Sequence, residues 1–239
     1  MAETATRTEA DATADAANGG LALWQRAAGP ALRGLVRDYW GYSEQTAGPV
    51  RRRELPSADI IFIVNVGAPL LVRQPRAEFH VIPGGGGFVA GLHETYALTE
   101  TAGSQSGIEL RMSPLGAYRL VGEPMETLVN RSVPIDELFG SWAIELGERL
   151  HDAPGWEARF ATLDHMVGTR LADAAPPSPE VVWAWRQLAR SGGRISIAML
   201  AEELGWSPKR LIARFREQVG LPPKQVARLL RFQRATHLL

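Results

Sequence analysis

The chain has 239 residues, enough for one large or two modest domains. Its composition, 45% hydrophobic and 22% charged, is that of an ordinary soluble protein. It has no cysteine, which excludes disulfides, zinc ribbons, thiol catalysis and iron–sulfur ligation and fits a reducing cytoplasm. No apolar run approaches the roughly 18 residues of a membrane span. The formal net charge of zero hides an asymmetry. Residues 1–178 carry 15 Lys and Arg against 22 Asp and Glu, whereas residues 179–239 carry 11 against 4. A basic end on an acidic body points to nucleic acid or another anionic surface.

Residues 1–20 are rich in Ala, Thr, Asp and Glu and lack an apolar face. They predict a disordered tail rather than a secretory signal. From Leu21 to about Arg111 the pattern is β. Asp59 to Gly67 encloses a β-branched run, the mark of a buried strand. Further short strands are expected at Leu70–Arg73, Phe79–Ile82, Phe88–Ala90, Tyr96–Thr99 and Gly107–Met112. In the last of these, Ile108, Leu110 and Met112 share one face. Short strands separated by Gly and Pro turns imply a sandwich or barrel rather than a βαβ sheet.

From Pro114 the period becomes helical. Pro114–Val121 predicts one short helix. Ile135, Leu138, Phe139, Trp142, Leu146 and Leu150 fall on one helical face and predict a second helix. Trp156, Phe160, Leu163, Val167 and Leu171 mark a third. The Pro-rich stretch 173–178 breaks the pattern and reads as a linker. The fold class expected is therefore α+β. It comprises a β-sandwich or barrel with appended helices over residues 21–172, then an all-α segment over residues 179–239.

The last 61 residues read as four helices. Ser178-Pro179 opens the first, and Val181, Val182, Trp185 and Leu188 give its buried face. Ser191-Gly192-Gly193 ends it. Ser196 caps the second, Ile197–Leu204, which Gly205 stops. Ser207-Pro208 opens the third, which runs to Val219 and ends at Gly220. Pro222-Pro223 opens the fourth, extending to the end of the chain. Two short helices around a Gly-containing turn form a helix-turn-helix unit. Ala201 is small where the two helices cross. Leu200, Leu204, Trp206, Leu211 and Phe215 are placed to form the core between them. On the opposite face of the third helix, Lys209, Ile212, Ala213 and Arg216 are placed to enter a major groove and read bases. Ser207, Arg210 and Arg214 flank that face and are placed to anchor phosphates.

This segment resembles the DNA-binding domain of AraC-family transcriptional regulators. The signature is carried by Leu200-Ala201, Leu204-Gly205, Ser207-Pro208, Leu211, Phe215, Gly220, Pro223 and Arg231-Phe232. A weaker resemblance to the β-rich N-terminal domains of such regulators is carried by Leu55-Pro56-Ser57, Ala90 to His93 and Ser113 to Ala117. The resemblance implies a cytoplasmic, sequence-specific DNA-binding regulator that is not an enzyme and carries no cofactor. It implies a cupin-like sensor domain taking a small-molecule effector or pairing with a second copy. Double-stranded DNA is the implied partner, and a membrane is not. The family pattern has two helix-turn-helix units. This sequence ends at Leu239 after the first unit and its linking helix, so the second is expected to be absent. With one unit, DNA binding is expected to be weak and modestly specific. Phe232, Ala235, Leu238 and Leu239 are then expected to lack the surface on which they would pack. That apolar end favours a rival reading, a modulator that pairs with full-length regulators.

Other features point to blander roles. Arg51-Arg52-Arg53 reads as a solvated strand edge or loop, with an anionic-effector site as the sharper alternative. Gly84 to Gly87 lacks a following helix and a Gly-Lys-Ser/Thr, so it reads as a hairpin loop rather than a phosphate loop. His80, His93, His151, His165 and His237 have no metal-ligand spacing, which argues against a cupin-type enzyme. His93 reads as a ligand-contacting or satisfied core residue. The stretch from Gly103 to Gly107 puts Gln105 at the nucleophile position of a hydrolase turn, so Ser104 and Ser106 read as hairpin residues. Asp59, Glu94 and Glu109 show no acid–base spacing. Trp40, Tyr42, Phe62 and Tyr96 belong to the core or to a sensor pocket.

Overall fold

The computed structural model describes residues 20–75, 77–236 and 238. The expected tail, except Gly20, and Arg76, His237 and Leu239 lie outside the described residues. The architecture is α+β, with antiparallel sheets first and helices after them. The strands are β1 (Leu21–Ala27), β2 (Val36–Gln45), β3 (Val50–Glu54), β4 (Ile60–Asn65) and β5 (Leu70–Arg73). They continue with β6 (His80–Ile82), β7 (Gly87–Ala90), β8 (Ala97–Thr101), β9 (Ser104–Met112) and β10 (Ser132–Pro134). One sheet has the order β1-β2-β9-β4-β7-β10 and the other β3-β8-β5-β6.

Alternation decides which face of the larger sheet is covered. Tyr39, Phe62, Val64, Ile108, Leu110 and Met112 are essentially inaccessible on one face. Register places Phe62 opposite Leu110 and Leu110 opposite Tyr39, so these side chains form one apolar row. The opposite face carries Ile63 and Phe88, which pack with Leu70, Val72 and Ile82 of the smaller sheet. The body is thus a sandwich whose larger sheet has helices on its far side.

Those helices are α1 (Pro114–Val121), α2 (Ile135–Phe139), α3 (Ser141–Asp152) and α4 (Trp156–Ala172). α1 begins where Ser113 accepts a hydrogen bond from the Gly116 N–H (3.1 Å), and it ends at Gly122 with φ of 77°. Trp156 at the start of α4 stacks on Trp24, ring centroids 4.4 Å apart. Gly41 leaves the room for it, since a Cβ there would lie 2.3 Å from the Trp156 ring. Residues 173–178 carry no helix or strand and lead to α5 (Pro179–Arg190), α6 (Ile197–Glu203), α7 (Pro208–Val219) and α8 (Pro223–Thr236). The hydrophobic core does not stop at residue 173. One cluster of buried side chains runs from Phe62 and Leu110 through Leu146 and Leu163 to Leu188, Phe215 and Val226.

Three expectations need correction. The helix expected over Ile135–Leu150 is two helices, broken at Gly140 with φ of 55°. Both segments still turn Phe139 and Leu146 to the core, which is why the apolar period survives the break. Gly84 to Gly87 is not a hairpin loop, because β6 pairs with β5 and β7 pairs with β4 in the other sheet. Ser104 likewise follows a crossing between sheets, from β8 to β9.

Candidate nucleic-acid interface

The helix-turn-helix expectation lands on α6 and α7. α6 ends at Glu203, Leu204 follows as its C-terminal cap, and Gly205 takes φ of 61°. The turn is closed by the Gly205 N–H on Glu202 O and the Trp206 N–H on Ala201 O, both 2.9 Å. Ser207 then caps α7, its hydroxyl accepting from the Arg210 N–H at 3.2 Å. The Pro208 ring presets the first helical turn. Leu200, Leu211, Phe215 and Val219 are fully buried, and Ala201 is 3% exposed at the crossing. Each large apolar side chain buried here contributes about 1.5–3 kcal/mol, so the unit is held by packing more than by helix propensity.

The outward face of α7 carries Lys209, Ile212, Ala213 and Arg216, all exposed. The two cations have no ion-pair partner among the described residues. The flanking groups differ from one another. Ser207 and Arg210 are exposed, and the Arg210 guanidinium sits 4.5 Å from the Trp206 ring centroid. Arg214 is half-buried and pairs with Glu217 at 2.6 Å, so its charge is already met. That pair is an i,i+3 contact and was readable from spacing alone.

Three ties that sequence reasoning missed hold this unit to the rest of the chain. Gln218 is 2% exposed, and its carbonyl accepts from the Ser178 N–H (2.9 Å) and hydroxyl (3.2 Å). The end of α7 lies on the 3-10 turn Met125–Leu128, where a Cβ at Gly220 would be 3.2 Å from Met125 O. Gln233 on α8 accepts from the Ala58 N–H at 3.4 Å. It also bonds the Asp59 carboxylate, which pairs with Arg37 at 2.9 Å. Burial raises the Asp59 carboxyl above its ordinary value despite both partners.

The remaining candidates are mostly satisfied structurally. Arg51 and Arg52 pair with Glu100 and Glu44, and Arg53 lies 5.1 Å from the Tyr96 ring centroid. They belong to β3, and their positive charge is already engaged. Glu109 pairs with Arg111, which lies over the Trp40 ring. Phe62 is a core residue against Phe139. Tyr42 is half-buried, and burial together with Glu109 pushes its hydroxyl well above the usual range. His93 is 7% exposed, and its Nδ1 donates to Gly91 O at 2.6 Å. Its Nε2 is buried without a hydrogen-bond partner among the described residues, and burial lowers its pKa below the ordinary value. Among the described residues, no three His, Asp or Glu side chains gather closely enough to hold a metal ion. Among the same residues, no helix is long and apolar enough to cross a membrane.

Residues 25–134 match the model of a domain of unknown function, DUF6597. No curated protein sequence matches the chain. Among solved structures, the chain is similar to apo ToxT from Vibrio cholerae in a lysine-to-alanine variant. Identity is 8%, coverage is 89% of this chain and 84% of that one, and the TM-score is 0.52. It is also similar to the AraC-like transcriptional activator CuxR, with 19% identity, coverage of 93% and 88%, and a TM-score of 0.34. A bacterial pirin from Escherichia coli in complex with nickel(II) is similar over 40% of this chain and 46% of its own, with 10% identity and a TM-score of 0.32. At such identities a likeness speaks to fold alone. The chain shares with ToxT a β body followed by helices.

Proposed function

We propose that the chain is a sequence-specific DNA-binding transcriptional regulator of AraC type. The observation that carries this reading is α7. A capped helix buries Leu211, Phe215 and Val219 and presents Lys209, Ile212, Ala213 and Arg216 outward, beyond a glycine turn. A major groove is wide enough for one such helix. Lys209 and Arg216 have the chemistry to donate to guanine edges, and Ile212 and Ala213 to meet thymine methyl groups. Arg210 and Ser207 would hold phosphates beside them. Arg214 contributes less, because Glu217 shares its charge.

The β body is the part that would take a small-molecule effector or a second copy of the chain. Its link to α7 is direct, through Met125–Leu128 and Gly220. This contact is the route by which a change in the body would reach the DNA-reading face. Fluorescence anisotropy on labelled duplex tests the reading. Binding that is strongly weakened by Lys209→Ala/Arg216→Ala supports it, and binding indifferent to that change opposes it.

A further inference from the structure

We propose that Arg190, Arg194 and Arg234 form a second contact surface for the DNA phosphate backbone, separate from the groove-facing side of α7. The proposal rests on the DNA-binding reading and extends it to the junction of α5, α6 and α8. α5 ends with Arg190 in its last turn. The chain then reverses through Gly192 and Gly193, with φ of 59° and 73°. The turn is closed by the Gly192 N–H on Ala189 O (3.0 Å) and the Gly193 N–H on Leu188 O (2.9 Å). It sits tightly on α8, since a Cβ at Gly193 would lie 2.2 Å from Ala227 O.

α8 brings two arginines to this turn. Arg231 donates through Nη1 to Gly193 O and acts as a positioning residue. Arg234, one helical turn further, has Nη1 3.6 Å from the place a Gly192 Cβ would occupy. On the other side, Arg194 donates through Nε to Ser191 O at 3.0 Å, which leaves its terminal nitrogens unused by that bond. Arg190, Arg194 and Arg234 are all exposed. Among the described residues none of them has a carboxylate in ion-pair range. From Gln218 to Thr236 the sequence holds Lys224, Arg228, Arg231 and Arg234 and no acidic residue.

Like charges gathered without counter-charge repel one another, and an anionic partner relieves that cost. Arg51, Arg52, Arg111, Arg149 and Arg214, by contrast, each have a carboxylate partner. Position selects the anion. In a helix-turn-helix the first helix crosses the DNA backbone while the second enters the groove. Arg194 stands two residues before Ser196, the residue that opens the first helix, α6. The turn therefore lies beside a phosphate strand when α7 is seated. The guanidinium fork matches phosphate oxygens.

The test is the salt dependence of duplex binding by the full chain and by Arg190→Gln/Arg194→Gln/Arg234→Gln, measured by anisotropy on several unrelated duplexes. Losing three phosphate contacts lowers the slope of log affinity against log salt by about 2.7. Between about 50 and 200 mM salt, that difference amounts to roughly 40-fold. The expected result is weaker binding by a similar factor on every duplex, the smaller slope, and recovery of the slope in the triple lysine variant. An unchanged slope, in a chain whose preference among duplexes is still lost with Lys209→Ala/Arg216→Ala, overturns the second surface and leaves the first reading intact. No duplex binding by the unmodified chain overturns both. If far-ultraviolet circular dichroism shows the triple variant unfolded, Arg190→Gln alone carries the test. Arg190 makes no side-chain hydrogen bond among the described residues, and its loss lowers the slope by about 0.9.

Discussion

Phe215→Ala tests whether the helix-turn-helix and the β body share one core. Phe215 is fully buried in α7, within a cluster of buried side chains that also contains Phe62 and Leu110. Truncating a buried Phe costs about 3–5 kcal/mol, roughly a fifth or more of the stability of a typical domain. For a chain of this size that lowers the melting temperature by about 6–20 °C. Ile212→Ala, three residues earlier on the same helix and 39% exposed, is the control and costs about 0.5 kcal/mol or less. Urea unfolding followed by circular dichroism and by tryptophan fluorescence reads both. A continuous core predicts one transition, shifted as a whole by Phe215→Ala and hardly at all by Ile212→Ala. Two transitions, with only one moved, would refute the argument and make residues 173–178 a true domain boundary. Equal effects of the two substitutions would refute the assignment of inner and outer faces.

His93 makes stability depend on pH in a known direction. Its folded pKa lies below the ordinary value near 6.5, so the unfolded chain binds more protons between those values, and stability is lost as pH falls through that window. Urea midpoints at about pH 7.5 and about pH 5.5 should differ less in His93→Gln than in the unmodified chain, and an undiminished difference would remove His93 as the cause. Ser207→Ala removes the α7 cap and should cost about 0.5–2 kcal/mol in the same assay, with no measurable loss contradicting the capping role.

What the sequence made legible follows from which interactions are local. α7 and its faces were readable because Ser207-Pro208, Gly205 and Gly220 mark its ends within a few residues. The 3.6-residue period then assigns Leu211 and Phe215 inward and Lys209 and Arg216 outward. Pro114–Val121 was readable for the same reason. β2 was harder to place because its register shifts between Val36 and Asp38, which disturbs the alternation that announces a strand. Arg51-Arg52-Arg53 was legible as a strand edge, and β3 is the edge strand of the smaller sheet, but the pairing of Arg52 with Glu44 of the other sheet is one that no local rule supplies. The crossing at Gly84 to Gly87 resembled a hairpin because strand pairing is a non-local choice. At the site, the grip of Gln218 on Ser178 and the seat of α7 on Met125–Leu128 span 40 and more residues. The convergence of Arg234 on the Gly192 turn is non-local in the same way.

The most direct measurement is anisotropy on two labelled duplexes, the region upstream of this protein's own reading frame and a random sequence. Both would be titrated with the unmodified chain and with Lys209→Ala/Arg216→Ala at about 50 and about 200 mM salt, a range over which phosphate contacts weaken strongly. A base-reading α7 predicts tighter binding to the upstream duplex, at both salt concentrations, and loss of that preference in the double variant. Equal affinity of the unmodified chain for the two duplexes, or a preference that survives the double variant, would contradict it.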